Sequence, residues 1–566
     1  MRRPSILLAL AALLAAAPSA LAHGGQYRGP GGRSPGDPTA PTKPVTSTTD
    51  WEAWWAANAW KYLNLRERLR QRDGDPGEAS GGGLGAVSGG EGNQVDARLE
   101  DTHLLYQTEV LPVVTKALED EDSEVRSAAT VALGKMGFAR SLLNLRRARK
   151  DTVRDVRDGA LLAIGMIGEG LAAEELREVL FDPSEDERSR SFAAIGLGFI
   201  ESPEAGPALL AFLEPQADAA RVGGLRRTPY SLASVIVALG LGKHASAAEI
   251  LRKDYASATR YDPPVRSFIA ITLARLGDRE SIPFLLQGLE HKREPMRQSA
   301  AIALGVLGTP ADAKVVEALA RKTLEDNDAN TRQFAAMALA DIGGEEATLA
   351  LRKLLERGGP LDVPFAAIGL AALKDVPSLP VLRKRFADER SPDLKGAIAL
   401  ALGLYGDLES AESLRKMALA KVDYGLRGHC LTALGLMDDR ASAEEVKALV
   451  EEENDPVIKM AGAVCLGLLR DPSTVPLLED MAMNETNVLM RSTACRLLGA
   501  VGSPRSARVL IRILENRKER SLLRMTAVAG LGNLCDPRLV PLLSEVGMDS
   551  NYAVFVDPLR EISMIM

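Results

Sequence analysis

The sequence predicts an all-α fold, an α-solenoid wound as a superhelix of about 13 HEAT-like helix pairs behind a disordered N-terminal tether. Three observations carry this. From about residue 101 the chain repeats itself with a period near 32 residues. Within each period one apolar stripe returns at helical spacing. Between stripes stand helix-start residues, with no room for a strand.

The repeat is plain when two stretches are compared. Val125-Arg-Ser-Ala-Ala-Thr-Val-Ala-Leu-Gly-Lys-Met-Gly137 matches Met296-Arg-Gln-Ser-Ala-Ala-Ile-Ala-Leu-Gly-Val-Leu-Gly308. Taking the first glycine as anchor gives 13 units, at positions 134, 165, 198, 240, 274, 305, 340, 371, 403, 435, 467, 499 and 532. The anchor is Gly in ten units and Ala in three (Ala274, Ala340, Ala371), so a helix surface there approaches another backbone closely. The residue before it is Leu in twelve units and Ile164 in the other, which marks a buried column. Four after the anchor, Asp, Ser or Thr recurs (Asp278, Asp407 and Asp471 among them), as the N-cap of the next helix requires. Pro207, Pro283, Pro380, Pro476 and Pro541 then fall near the start of that helix.

These units resemble HEAT repeats, of the subclass seen in the bilin-attaching lyases of the phycobilisome. The resemblance rests on the pattern D-x-x-V-R-x-x-A-A-x-A-L-G-x-L-G and covers residues 104–566. It implies a helical scaffold or adaptor, and less directly a bilin lyase-like enzyme. A third reading is an envelope structural protein. A di-iron hydroxylase built on HEAT repeats would show His-Glu pairs, and none of the five His is followed by Glu.

Ahead of the repeats, residues 1–22 read as a signal peptide: Arg2 and Arg3, an apolar run from Ile6 to Ala17, then Ala20-Leu21-Ala22. The apolar run is too short to span a bilayer. The expected destination is therefore the periplasm or the exterior, with no integral membrane span after cleavage. Residues 23–49 read as a flexible Gly/Pro tether and 73–98 as a Gly-rich linker. Between them, 50–72 form one amphipathic helix holding all four Trp of the chain. Trp51, Trp54 and Trp55 share its apolar face, and Trp60 points the other way. Burial is expected for that face. Two destinations compete, a cap on the first repeat and a surface for a partner.

Composition narrows the function. A formal charge of −7 argues against nucleic-acid binding. Apolar residues make up 46% and aromatics only 4%, as a Leu/Ala-filled helical array requires. No cofactor or metal set is evident in the spacing of His, Cys, Asp and Glu. The four Cys stand at four different repeat phases and read as core thiols. Gly32-Arg33-Ser34-Pro35-Gly36 imitates a nucleophile elbow without the strand and helix that one needs.

Three sets of residues remain. Eight before the anchor stands a basic column, Arg126, Arg157, Arg190, Arg266, Arg297, Arg332, Arg427, Arg491 and Arg524, with Lys395 and Lys459 in two other units. Its recurrence points to a structural ladder pairing with loop carboxylates such as Asp122, Asp186, Asp262, Asp328 and Asp455. About ten extra residues between anchors 198 and 240 carry Arg221, Arg226, Arg227 and Tyr230. Solvated length variation accounts for them most simply; a grip on a partner's carboxylate or phosphate is the functional alternative. Phe192, Phe268, Phe334, Phe365 and His429 share the phase six before the anchor and read as core packing. The function expected is a non-enzymatic exported scaffold that binds protein or peptide along its repeats, with Arg221, Arg226, Arg227, Tyr230, Trp51, Trp54 and Trp55 as candidate contacts.

Overall fold

The computed structural model describes Trp51, Glu52, Trp54, Trp55 and Asn58, and residues 103–552 apart from 170, 201, 214–226, 258 and 539–543. The expected signal peptide, both tethers, Trp60, Arg221, Arg226 and the C-terminal residues past Tyr552 lie outside these. Every regular element among the described residues is helical. No described helix is long and apolar enough to cross a membrane.

Each of the 13 units is an outer helix followed by an inner one. The inner helices are α1 (Ser123–Met136), α2 (Arg154–Ile167), α3 (Glu187–Gly198), α4 (Pro229–Leu241), α5 (Pro263–Arg275) and α6 (Glu294–Leu307). They continue as α7 (Ala329–Ile342), α8 (Val363–Ala372), α9 (Pro392–Tyr405) and α10 (Tyr424–Leu436). The last three are α11 (Pro456–Leu468), α12 (Val488–Val501) and α13 (Ser521–Cys535). Each inner helix packs on the one before and the one after it, whereas neighbouring outer helices touch much less. That difference bends the stack toward the inner side.

The sequence columns explain the packing. The Leu/Ile before the anchor is fully buried in every unit, Leu133, Ile164 and Leu304 among them. The anchor glycine lies against the next inner helix: a Cβ built on Gly305 would stand 2.7 Å from Ala338 Cα, and one on Gly134 2.7 Å from Ala163 Cα. Three residues later the chain turns through a left-handed conformation. Glycine supplies it at Gly137, Gly277 and Gly406, while Lys243, Lys374, Asp438 and Arg470 adopt it with a side chain.

The solenoid has no free ends. Helix α13 packs against α1 as extensively as α1 packs against α2. The contact is the ordinary inter-repeat one: a Cβ on Gly532 would stand 2.7 Å from Ala132 Cα. The expected superhelix of 13 helix pairs is present, and its first and last units meet, so that the repeats form a closed ring. Helix-packing angles decide curvature, and no residue column encodes them directly.

The basic column closes with it. Arg126 donates to both carboxylate oxygens of Asp151 in the next unit, at 2.8 and 3.0 Å. Arg297 does so to Asp326 at 3.0 and 2.9 Å, and Arg491 to Glu519 at 2.8 Å twice. Arg332 reaches Asp362, Arg427 reaches Glu453 and Lys459 reaches Glu485. Arg524, in the last unit, pairs with Asp120 in the first. Arg157, Arg190 and Arg266 donate instead to the carbonyls of Asp151, Glu185 and Tyr255. The ladder's carboxylates are therefore not Asp122, Asp186, Asp328 or Asp455. Those accept from backbone N–H groups at the starts of α1, α3, α7 and α11. Asp262 occupies the same place before Pro263 without a side-chain cap bond. Helix capping thus engages four of these side chains, and Asp186 pairs in addition with Arg154, which is outside the ladder.

Candidate functional site in the ring lumen

The inner helices enclose a lumen, and both ends of the described chain lie in it. Trp51 packs at a tilt of 52° against His429 of α10, ring centroids 5.0 Å apart. Trp54 meets the edge of Phe365 of α8 at 5.6 Å and lies 6.4 Å from Trp55. All three indoles are buried, Trp55 completely. Trp51, Glu52, Trp54, Trp55 and Asn58 are helical, as the periodicity predicts. The seat of Trp51 and Trp54 is the wall formed by α8 and α10, and not the first repeat that one of the two competing readings named. One turn of helix beyond Trp54, Asn58 donates to the Trp54 carbonyl at 3.0 Å. Its Oδ1 accepts the Asp549 N–H at 3.1 Å, which joins the Trp-bearing helix to the stretch that ends at Tyr552.

The C-terminal segment is held by the opposite flank of the same wall. Arg275, at the end of α5, donates to the carbonyls of Glu545 and Met548 at 2.8 and 2.9 Å. Asn551 donates to Ser299 Oγ at 2.9 Å and Gln298 Oε1 at 3.2 Å on α6. Tyr552 meets Phe334 of α7 edge-on at 5.0 Å. A small cavity remains between Trp54, Asn58, Ile302, Phe334, Met337 and Asp549.

Three of the five residues six before the anchor, Phe334, Phe365 and His429, are thus the lumen's aromatic seat rather than inter-helix filler. The signal was present in the sequence: one repeat phase gathers aromatics in a chain that has few. His429 is buried, and burial pushes its pKa down to about 4, although a Glu52 carboxylate oxygen stands 3.8 Å from its Nε2. Gly396 on α9 makes room for it, since a Cβ there would press on Nδ1.

The other candidate contacts lie elsewhere. Tyr230 is exposed in the first turn of α4, four repeats from α8. Arg227 lies just before that helix with its guanidinium 5.7 Å from the centroid of Phe212. The structure does not bring them to the Trp residues. Among the described residues no group of three or more His, Cys, Asp or Glu is placed to hold a metal. All four Cys are buried with no disulfide between them, and burial raises the Cys495 thiol to about 12.

Comparison with known proteins identifies the repeats. The family model of HEAT repeats matches residues 102–165, 255–323, 321–403, 411–489 and 482–555. No curated protein matches the sequence. Among solved structures, human deoxyhypusine hydroxylase in complex with glycerol is 19% identical, over 53% of this chain and 96% of that one, at a TM-score of 0.22. The CpcE–CpcF complex of phycocyanin lyase from Nostoc is 21% identical over 44% and 93%, at 0.29. A mutant of Kap121p is 12% identical over 72% and 56%, at 0.33. Scores this low carry no functional argument. With the family model matched along more than half of its length, the chain belongs to the HEAT-repeat proteins.

Proposed function

We propose that this protein is an exported, non-enzymatic scaffold that binds a protein or peptide partner, and that its lumen receives an amphipathic helix bearing aromatic residues. One observation carries the reading: Trp51 and Trp54 sit on His429 and Phe365 as a helical ligand sits in a groove. The segment that carries them joins the ring through the expected Gly-rich linker, so it is a ligand in cis. A partner helix with the same spacing of indoles competes for the same wall. Arg227 and exposed Tyr230, near Arg221 and Arg226 in sequence, are a second candidate contact, for an acidic group of the partner.

The test is a chain lacking residues 23–98, offered a labelled peptide of residues 49–72 in trans. Saturable binding, weakened at least tenfold by Trp54→Ala in the peptide, supports the reading. A truncated ring that melts as the full chain does and ignores the peptide refutes it. Export is tested separately, by fractionating the cells that make the protein.

A further inference from the structure

Three residues before the anchor, Ile302 and Met337 line the cavity beside Trp54, and the repeat places the same phase of the other inner helices in the equivalent position. Through the 13 units this position is Val, Leu, Ile, Met, Ala or Thr, with one exception, Arg496 on α12. A guanidinium facing that wall is costly unless its charge is answered. Every other buried arginine here is answered: Arg190, Arg266, Arg427 and Arg524 donate to carbonyls or carboxylates, as does half-buried Arg275. Arg496 is only 6% exposed, its Nε has no hydrogen-bond partner, and no carboxylate among the described residues lies within ion-pair distance. One turn earlier on the same helix, Ser492 is 1% exposed and its Oγ also lacks a partner.

We propose that Arg496 and Ser492 form an anion site in the lumen wall that takes the carboxylate or phosphate group of a small ligand. The pairing follows from chemistry. A guanidinium presents a planar fork that matches two oxygens of either group, and a hydroxyl one turn away supplies a third donor. Burial of both groups inside the ring excludes most water and strengthens the contact. The site is independent of the aromatic seat on α8 and α10, so either can fail without the other.

The experiment uses the full chain, with inorganic phosphate or succinate titrated at constant ionic strength while the melting temperature is followed. The wild type is expected to rise saturably with at least one of the two, and the comparison tells phosphate from carboxylate. Arg496→Met is expected to melt above the unliganded wild type and to lose the response. Arg496→Lys keeps the charge without the fork and is expected to respond weakly. Ser492→Ala should raise the apparent Kd about three- to tenfold, the loss of one hydrogen bond. A wild type that responds to neither anion overturns the proposal. So does an equal response in the wild type and Arg496→Met.

Discussion

Substitution of Gly532 by Leu tests ring closure directly. Gly532 belongs to the last repeat, and in an open array its helix would end the stack. A leucine there would then behave as a surface change, within about 0.5 kcal/mol of neutral. In the ring, a Cβ at Gly532 would stand 2.7 Å from Ala132 Cα and 2.8 Å from Ala132 Cβ. Backbone cannot yield as a side-chain tip can, so α13 and α1 must part to admit the residue. Overpacking of this kind costs on the order of 3 kcal/mol. Gly305→Leu meets the same geometry against Ala338 within the chain and is the matched control. Both variants should lower the guanidinium unfolding midpoint similarly. Hydrogen exchange should then show the α1 and α13 amides opening in Gly532→Leu alone. Arg524→Ala, which strands buried Asp120, should add a loss of about 3–5 kcal/mol at the same junction. If Gly532→Leu is as stable as the wild type while Gly305→Leu is not, the ring does not close in solution.

Two further outcomes follow from the packing. Leu304→Ala, in the fully buried column, should cost about 2–5 kcal/mol in chemical unfolding. A partly exposed rung would make Arg297→Ala milder, but the pair it forms is nearly buried, 12% and 4% exposed. Arg297→Ala should therefore approach Leu304→Ala, and Arg297→Lys should recover only part, because the fork is lost. His429 gives a pH signature. Its folded pKa, near 4, lies below the unfolded value near 6.5, so the unfolded chain takes the proton first. Stability is complete above about pH 6.5 and declines by roughly 3 kcal/mol as pH falls to 4. His429→Phe should flatten that slope while keeping the contact with Trp51, as melts at pH 7 and pH 4.5 will show.

The repeat count, the helix pairs and the burial of the Leu column could all be read from the sequence, because a 32-residue self-alignment repeats each physical demand thirteen times. The anchor glycine announced a close approach, and Ala163 and Ala338 are the backbones that it meets. Curvature could not be read, since it accumulates from small differences between inner and outer packing that no single column holds. The ladder shows the same limit at closer range. A basic column was evident, yet two nearby acidic positions competed for it. Capping geometry gave the nearer Asp to the helix and left Asp120, Asp151 and Asp326 to the arginines. The lumen site was half visible. The Trp helix stood out, while its seat was spread over α8 and α10, 64 residues apart in Phe365 and His429.

Closure also constrains how such a chain can change. An open array can gain or lose a repeat at either end and keep every remaining interface. In a ring of 13, each unit accounts for about 28° of turn, so removing one leaves a gap that the α13–α1 contact must span. Fraying is restricted for the same reason: no repeat has a bare face, and opening any one requires two interfaces to separate together. The number of repeats thus becomes a property of the whole ring, fixed as strictly as the length of any single helix.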